Sequence, residues 1–274
     1  MPQFKDVAIE ASKKAGKILM ENFGKKKQVH HKEAKELVTN VDIESEGVIV
    51  KTIRDKFPSH KFESEELGKE KYTEEDYVWI VDPLDGTHNY TYGVPFFNTS
   101  IALARGGKLI LGAIYDPVHD KMYYAEKGKG SFVNGQPTHV SDRSKLSEAL
   151  VMYDNQFHKR DDMFPNLEKL YPKIFTVRIS GSAATDASLV ASGIADARIW
   201  HKTKVVDVAA GVVIVEEAGG KATDFKGNPL QLGGTEVILS NGKILPELVA
   251  TLKAWQFSSS AKDADTRISV SRPS

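Results

Sequence analysis

The chain has 274 residues, of which 41% are hydrophobic, and this is enough for one large domain or two modest domains with a substantial core. Its 37 basic and 37 acidic residues cancel, which argues against nucleic acid or a membrane surface as the main partner and favours a small molecule. The absence of cysteine excludes disulfides, thiolate zinc sites and phosphatases that use a cysteine nucleophile.

Targeting and membrane signals are also missing from the sequence. The N-terminus lacks the apolar core of a signal peptide, and no run approaches the roughly 18 apolar residues of a membrane span. We therefore expect a cytoplasmic protein. Residues 257–274 are rich in serine and carry mixed charges, which predicts a polar, disordered tail.

The first part of the chain predicts two helices. Apolar residues recur at three- and four-residue spacing over residues 4–22, which indicates an amphipathic helix that Gly24 ends. A second helix is predicted to begin near Asp42, where a carboxylate can cap the helix or interact with its dipole, and to end before Pro58. Its inward face is predicted to contain Ile43, Val50, Ile53 and Phe57.

Two predicted strands follow, each running into acidic residues. Residues 61–64 predict a short strand before Glu65 and Glu66, a pair that would ordinarily be solvated. Residues 78–81 predict a buried strand whose hydrogen-bond ladder Pro83 cannot continue. The Gly86-Thr87 pair can then open a helix whose free N–H groups point at an anion.

Two aspartates, Asp82 and Asp85, lie between that strand and the Gly-Thr pair. Two like charges about 4 Å apart repel by roughly 4 kcal/mol at an effective dielectric near 20, and a divalent cation reverses the sign. Mg²⁺ commonly takes one or two carboxylates together with waters and a substrate phosphate. The stretch therefore predicts a metal and phosphate site, although Asp-Gly alone is also a common turn. An EF-hand loop is excluded because Gly93 stands where its closing glutamate would be.

The remainder of the chain predicts an antiparallel meander followed by alternating strands and helices. The meander contains predicted strands 98–104, 109–115, 122–125 and 130–133. The later strands are predicted at 149–153, 175–179, 196–199, 222–225 and 237–240, and the later helices at 164–170, 182–191, 208–218 and 245–255. We therefore expect an α+β N-terminal domain (1–145) and a C-terminal α/β domain (146–256).

Three motifs occur together in a fixed order. They are Ser64-Glu65-Glu66, Asp82-Pro83-Leu84-Asp85-Gly86-Thr87, and Val205-Val206-Asp207-Val208-Ala209-Ala210-Gly211. Further matching segments are 128–135, 181–184 and 216–220. This set resembles the inositol monophosphatase family of Mg²⁺-dependent, lithium-sensitive phosphatases over residues 4–255. The resemblance implies an α/β fold, a layered αβαβα sandwich of the sugar-phosphatase type, and a homodimer.

The resemblance also implies a role for each matched residue. The metal ligands would be Glu65, Asp82, the Leu84 carbonyl, Asp85 and Asp207, with Asp82 bridging two ions. Asp42 and Thr87 match the pair that orients the attacking water, and Glu65 joins them in the catalytic set. The substrate contacts would be Asp85, Gly86, Thr87, Gly181, Ser182, Ala183 and Asp207. The implied cofactor is two or three Mg²⁺ ions, with Mn²⁺ as an alternative.

These residue types suit hydrolysis of a small-molecule phosphate ester. The reaction needs the phosphate charge neutralised, a hydroxide delivered in line and the leaving alkoxide stabilised, and paired divalent ions can serve all three needs. We therefore expect direct attack by metal-activated water without a covalent intermediate. Helix N-termini would hold part of the phosphate.

The substrate stays open between inositol monophosphate, a related sugar phosphate and a bisphosphate such as fructose 1,6-bisphosphate. Val206 replaces a tryptophan common in the family, and Trp200 stands where inositol-binding members have a carboxylate. The segment 198–204 is instead basic, and its cations or Arg178 could hold a second phosphate, or the segment is simply an exposed loop. His88, beside the aspartate motif, is expected to lie outside an all-oxygen ligand set.

Two other functions fit parts of the sequence. A haloacid-dehalogenase-type phosphatase also has an aspartate motif, but its aspartates lie two apart on the first strand, whereas Asp82 and Asp85 are three apart. A non-catalytic sugar-phosphate-binding protein is the second alternative, and the complete carboxylate set argues against it.

Overall fold

A computed structural model describes residues 3–25, 29–33, 36–157 and 161–252. The helices are α1 (Phe4–Asn22), α2 (Asn40–Arg54), α3 (Thr87–Tyr92), α4 (Met163–Leu170), α5 (Ala183–Ala191), α6 (Val205–Glu217) and α7 (Leu245–Leu252). The strands are β1 (Val29–Glu33), β2 (Glu36–Thr39), β3 (Lys61–Ser64), β4 (Gly68–Lys69), β5 (Tyr77–Asp85), β6 (Asn98–Arg105), β7 (Lys108–Asp116), β8 (Lys121–Glu126), β9 (Ser131–Val133), β10 (Gln136–Thr138), β11 (Leu150–Tyr153), β12 (Thr176–Arg178), β13 (Ala197–Trp200), β14 (Lys221–Thr223) and β15 (Val237–Ser240).

Two sheets and three helix layers alternate through the molecule. The first sheet has the order β10-β9-β8-β7-β6-β5-β3-β4, and the second has the order β12-β11-β13-β15-β14. One core joins α1 and α2 to the first sheet, a second encloses α5 and α6 between the sheets, and a third joins the second sheet to α4 and α7. The αβαβα sandwich predicted from the sequence is therefore confirmed.

The middle helix layer is packed too closely to move independently of its neighbours. A Cβ atom at Gly112 on β7 would lie 2.4 Å from the carbonyl oxygen of Ala210 on α6. A Cβ atom at Gly211 would lie 2.5 Å from the Cβ of Ala187 on α5. Only glycine permits these close approaches. They hold α6 against β7 and α5 at Ala210 and Gly211, one helical turn after Asp207. The predicted domain boundary near residue 145 stays a prediction. Residues from both sides of it contribute to the core around α5 and α6.

The meander and the alternating second half agree closely with the sequence-based prediction. β6 to β9 are antiparallel neighbours in the first sheet. In the second sheet, β11 pairs in parallel with β12 and β13, while β15 pairs antiparallel with β13 and β14. The predicted tail and the last residues of the final predicted helix lie outside the described residues.

The inward face of α2 differs from the prediction at its beginning. Val50 and Ile53 are buried as expected, but Ile43 is 58% exposed, so its predicted inward position is wrong. The inner stripe at that end contains Asp42 and Glu46, which are both 1% exposed. Since these residues are four apart, they share one face of the helix and displace Ile43 to the outside.

The strand at Pro83 runs further than the sequence predicts. β5 continues to Asp85, and its pairing with β6 passes from Asp82 opposite Ser100 to Asp85 opposite Asn98. The extra residue on β5 forms a bulge, which accommodates a proline that has no N–H to donate. The expected break in the ladder is therefore a local bulge between the two aspartates.

Among the described residues, no helix is both long enough and apolar enough to cross a membrane.

Candidate active site

Parallel pairing of β3 and β5 brings the first two acidic residues of the site together. Ser64 lies opposite Val81 in this ladder, and the next residue, Glu65, donates its backbone N–H to the Val81 carbonyl at 3.1 Å. Glu65 therefore follows the end of β3 directly beside Asp82, as expected for the carboxyl ends of parallel neighbours. Oδ1 of Asp82 accepts a hydrogen bond of 3.0 Å from the Leu84 N–H, which shapes the turn.

Asp82 is a buried carboxylate on which three other acidic side chains act electrostatically. It is 3% exposed, and burial raises its pKa well above the usual range, with the charges of Glu65, Asp85 and Asp207 adding to the effect. Burial also raises the pKa of Asp207 and raises that of Asp85 to about 6. In all three groups burial is the main cause of the shift, because it disfavours the ionised form of a carboxylate.

The N-terminus of α5 binds the carboxylate of Asp85. The backbone N–H groups of Ala183 and Ala184 donate to its two oxygens at 2.9 Å each, and the Ser182 hydroxyl donates to Oδ2. The free N–H groups and positive end of a helix favour an anion. Asp85 is therefore held by a helix from the second half of the chain, and the Ala183 amide is already occupied by a carboxylate.

Asp42 has two roles in this structure. Its Oδ2 accepts hydrogen bonds from the backbone N–H (2.9 Å) and the hydroxyl (2.6 Å) of Thr39, so it completes the capping box at the start of α2. Its Oδ1 accepts from the Thr87 hydroxyl at 3.2 Å. Burial raises the pKa of Asp42 to about 6. Asp42 therefore caps α2 with one carboxylate oxygen and contacts Thr87 with the other.

Gly86 and Thr87 form the turn predicted from the sequence. Gly86 precedes α3 with a φ of +88°, and a Cβ atom there would lie 2.7 Å from the Phe96 carbonyl oxygen, so the position requires glycine. The Thr87 hydroxyl also lies 3.0 Å from the Leu84 carbonyl. His88, next along α3, is exposed.

Asp207 reaches the site from the first turn of α6. Its Oδ2 accepts hydrogen bonds from the Lys204 N–H at 3.0 Å and the Thr203 hydroxyl at 3.1 Å. The Lys204 side chain is half exposed, and its ammonium nitrogen lies 3.8 Å from Oε1 of Glu65. A cationic side chain therefore lies beside two of the acidic residues.

Gly181 joins the two halves near α3. It has a φ of +77°, and a Cβ atom there would lie 3.2 Å from Oδ1 of Asn89. The Asn89 amide donates to the Ser180 carbonyl at 2.8 Å. The segment that precedes α5 is thus attached to the helix that follows the aspartate motif, and the predicted substrate-contact residues converge on one region.

The basic segment 198–204 is largely internal, contrary to one interpretation of the sequence. Arg198 is 4% exposed, with its Nε 2.8 Å from Oδ2 of Asp186 and its Nη2 3.7 Å from Oδ1 of Asp154. Its guanidinium carbon lies 4.5 Å from the ring centroid of the buried Trp200. Because two carboxylates and an aromatic ring already surround it, Arg198 does not present its charge to a second phosphate.

The other candidate anion contacts differ in exposure. His201 is 1% exposed, and its Nε2 lies 3.1 Å from the Tyr153 hydroxyl. Arg178 is exposed on β12 and donates to the Thr176 hydroxyl and the Val177 carbonyl of its own strand. Within the basic segment, the Lys204 side chain lies beside an acidic site residue, Glu65.

The donor set fits a hard divalent cation in chemistry. Carboxylates and a backbone carbonyl are the oxygen ligands that Mg²⁺ prefers, and burial raises the pKa values of Asp82 and Asp85. Within the described ranges, however, no three histidine, aspartate or glutamate side chains form a ready-made metal cluster. A cation would therefore have to draw these side chains together or combine fewer of them with water.

The chain matches the sequence model of the inositol monophosphatase family over residues 1–256. It is 38% identical over 261 residues to inositol monophosphatase 3 of Solanum lycopersicum, an alignment that covers 91% of this chain and 96% of the relative. It is 37% identical over 254 residues to the fructose-1,6-bisphosphatase/inositol-1-monophosphatase of Aquifex aeolicus, with 91% and 94% covered.

A solved structure has the same fold. The IMPase of Thermotoga maritima superposes with a TM-score of 0.85 at 34% identity, covering 90% of this chain and 96% of the other. The two curated relatives carry different activities in their names, and their identities to this chain differ by only one percentage point, 38% against 37%. Overall similarity therefore defines the family without defining the substrate.

Proposed function

The chain belongs to the inositol monophosphatase family of phosphomonoesterases, and from this premise we propose that it hydrolyses an inositol monophosphate or a related sugar phosphate. The observation that carries the proposal is that Glu65 lies beside Asp82 at the ends of β3 and β5, while the charges of Asp85 and Asp207 also act on Asp82. The Thr87 hydroxyl, 3.2 Å from Oδ1 of Asp42, adds the predicted water-orienting pair. Family membership argues against the haloacid-dehalogenase-type alternative, and the complete set of acidic residues argues against the non-catalytic one.

The family is metal-dependent. We propose that Glu65, Asp82, the Leu84 carbonyl, Asp85 and Asp207 hold two or three Mg²⁺ ions, or Mn²⁺ in their place. When bound, such ions would neutralise phosphate charge and lower the pKa of a bound water. The raised pKa values of Asp82 and Asp85 agree with this, because burial is their main cause and a bound cation would stabilise the ionised carboxylates.

The protein's own groups then orient the reactants. Thr87 can accept a hydrogen bond from the attacking water while donating its own proton to Asp42, and this arrangement directs a lone pair of the water toward the phosphorus. Glu65 is the third member of this catalytic set, together with Asp42 and Thr87. No side chain has to form a bond to phosphorus, so the reaction proceeds by direct attack of water.

Substrate binding involves the two segments that meet beside Asp85. We propose that the amides of Gly86 and Thr87 face the phosphate, and that the segment Gly181-Ser182-Ala183 lies against the alcohol, with Asp85 and Asp207 as hydroxyl acceptors. The contact of Asn89 with the Ser180 carbonyl supports this, because it holds the two segments side by side.

A bisphosphate is a second candidate substrate, and the position of Lys204 favours it. Its ammonium group lies at the edge of the acidic site, half exposed, where it can contact a second anionic group of a bound molecule. Burial removes Arg198 from that role. We therefore propose, as the alternative, a fructose-1,6-bisphosphatase activity beside monophosphatase activity, as in the name of the Aquifex aeolicus relative, and Lys204 is the residue that supports it.

Phosphate release from a panel of substrates tests the proposal. The panel contains inositol 1-phosphate, fructose 1,6-bisphosphate, histidinol phosphate, adenosine 3′,5′-bisphosphate and NADP, each with Mg²⁺ and with EDTA. We expect turnover of inositol 1-phosphate with Mg²⁺ only, and inhibition by lithium. Turnover restricted to the bisphosphates would transfer the proposal to the second candidate, and no turnover of any sugar phosphate would refute both.

We further propose that the protein is a cytoplasmic homodimer. Large apolar side chains are exposed on α3, α4 and the edge strand region of the second sheet, including Tyr92 (81%), Phe164 (63%) and Phe175 (74%). Exposed apolar surface of this kind is typical of protein contacts. Light scattering coupled to size exclusion distinguishes a dimer from a monomer.

A further inference from the structure

We propose that Glu46, a residue outside the predicted site, is a positioning residue for Glu65. Glu46 lies on α2 one turn after Asp42 and is 1% exposed. Its Oε1 accepts a hydrogen bond from the Ser64 hydroxyl and another, 3.0 Å long, from the Glu66 backbone N–H. It therefore binds the residues on both sides of Glu65.

These two contacts complete the fixing of the acidic turn. The Glu65 backbone N–H donates to the Val81 carbonyl on β5 at 3.1 Å, so three consecutive residues are attached to rigid elements. Glu65 directs its own side chain toward Asp82 and Lys204. The effect of Glu46 on the site acts through the backbone position of Glu65, because Glu46 accepts hydrogen bonds from Ser64 and Glu66 on either side of it.

The burial of Glu46 is difficult to explain by stability alone. A buried carboxylate costs free energy unless hydrogen bonds compensate it, and this one lies one helical turn from the buried Asp42. An apolar side chain could fill the same volume under a turn. A functional role explains the Glu46 carboxylate better, because it is a rigid acceptor that holds the residues on both sides of Glu65. Metal ligands that are held in place bind a metal more tightly than mobile ones.

This inference rests on the proposed function, because it assumes that Glu65 is a metal ligand. Its test is the affinity of the full chain for Mn²⁺ without substrate, measured by titration calorimetry and by the electron paramagnetic resonance signal of free Mn²⁺. The variants are Glu46→Ala, Glu46→Gln and Ser64→Ala. Ser45→Ala is the matched control, because Ser45 is buried on the same helix but bonds to Ala15 of α1.

We expect Glu46→Ala to weaken Mn²⁺ binding by at least about tenfold. Glu46→Gln retains an oxygen acceptor for both donors and should bind near the wild-type affinity, whereas Ser64→Ala should fall between. Ser45→Ala should bind as the wild type does. Thermal melting of each metal-free variant separates a loss of fold from a loss of affinity. If Glu46→Ala does not fold, the Mn²⁺ affinity of Ser64→Ala tests the inference in its place.

Three results would overturn the inference. Wild-type affinity in a folded Glu46→Ala is the first, and wild-type affinity in Ser64→Ala, when Glu46→Ala does not fold, is the second. The third is a loss in Glu46→Gln as large as in Glu46→Ala, which would assign the effect to the charge of Glu46 and not to its hydrogen bonds. Absence of Mn²⁺ binding by the wild type would instead refute the proposed metal site.

Discussion

The hydroxyl of Thr87 lies 3.2 Å from Oδ1 of Asp42, although the two residues are 45 positions apart in the chain. This contact joins the start of α2 to the turn that follows the aspartate motif. Thr87 also lies 3.0 Å from the Leu84 carbonyl, and a hydroxyl carries one proton, so it donates to one of these acceptors at a time. Donation to Asp42 leaves a lone pair of Thr87 available to a water.

Removing this hydroxyl should slow the reaction without emptying the metal site. We expect Thr87→Val to lower kcat by about a hundredfold or more, because the water loses the group that orients it. Thr87→Ser keeps the hydroxyl and should retain most of the activity. Steady-state kinetics with saturating Mg²⁺ measures both, and calorimetry should show wild-type Mn²⁺ affinity. Full turnover by Thr87→Val would contradict the assigned role.

The pKa shifts predict an unusual pH dependence of stability for the metal-free protein. The folded-state pKa values of Asp42 and Asp85 are raised to about 6 from an unfolded value of 3.8, and burial is the main cause. A raised acidic pKa contributes stability that is fully present below the unfolded value and is lost as the pH rises through the folded value. The metal-free protein should therefore lose this stability between about pH 4 and pH 7.

Thermal melting in EDTA at a series of pH values tests this, with Asp42→Asn as the control. The variant has no charge to desolvate at that position, so its melting temperature should fall less over the same pH window. A metal concentration of about 100 times the dissociation constant should add about 2.7 kcal/mol to wild-type stability at pH 7.5. A melting temperature that rises steadily with pH in EDTA would show that the carboxylates are not desolvated.

Arg198 and Lys204 should respond differently to removal of their charge. Arg198→Met leaves Asp186 and Asp154 buried with no cation, and we expect a loss of about 3–5 kcal/mol in the free energy of unfolding. Lys204→Met should keep wild-type stability but raise KM for a bisphosphate more than for a monophosphate. Denaturant melts and KM ratios measure these effects. A selective rise of bisphosphate KM in a folded Arg198→Met would restore the substrate role for Arg198.

Much of the site could be predicted because its parts are local in sequence. The strand, the aspartates and the Gly86 turn lie within ten residues, and the buried residues of α1 recur at regular helical spacing. Asp42 and Asp207 each lie in the first turn of a helix. Each position therefore has a local signal, such as strand burial, a required glycine or helix capping.

The remaining features depend on tertiary contacts that no local pattern encodes. Asp85 is bound by Ala183 and Ala184, almost a hundred residues later, because the two sheets enclose α5 between them. Arg198 looks like part of a basic surface loop until Asp154 and Asp186 are placed beside it. For Glu46 one signal exists, since it lies four residues after Asp42 and so must share its face of α2.

Mg²⁺-dependent phosphate release by Asp82→Asn tests the central claim most directly, because the charges of Glu65, Asp85 and Asp207 all act on Asp82. The substitution preserves shape and removes one charge, so the fold should be retained, and circular dichroism and melting confirm this before the assay. The account predicts that the wild type releases phosphate from inositol 1-phosphate with Mg²⁺ but not with EDTA, and that Asp82→Asn releases none. Wild-type turnover by a folded Asp82→Asn, or by the wild type in EDTA, would contradict it.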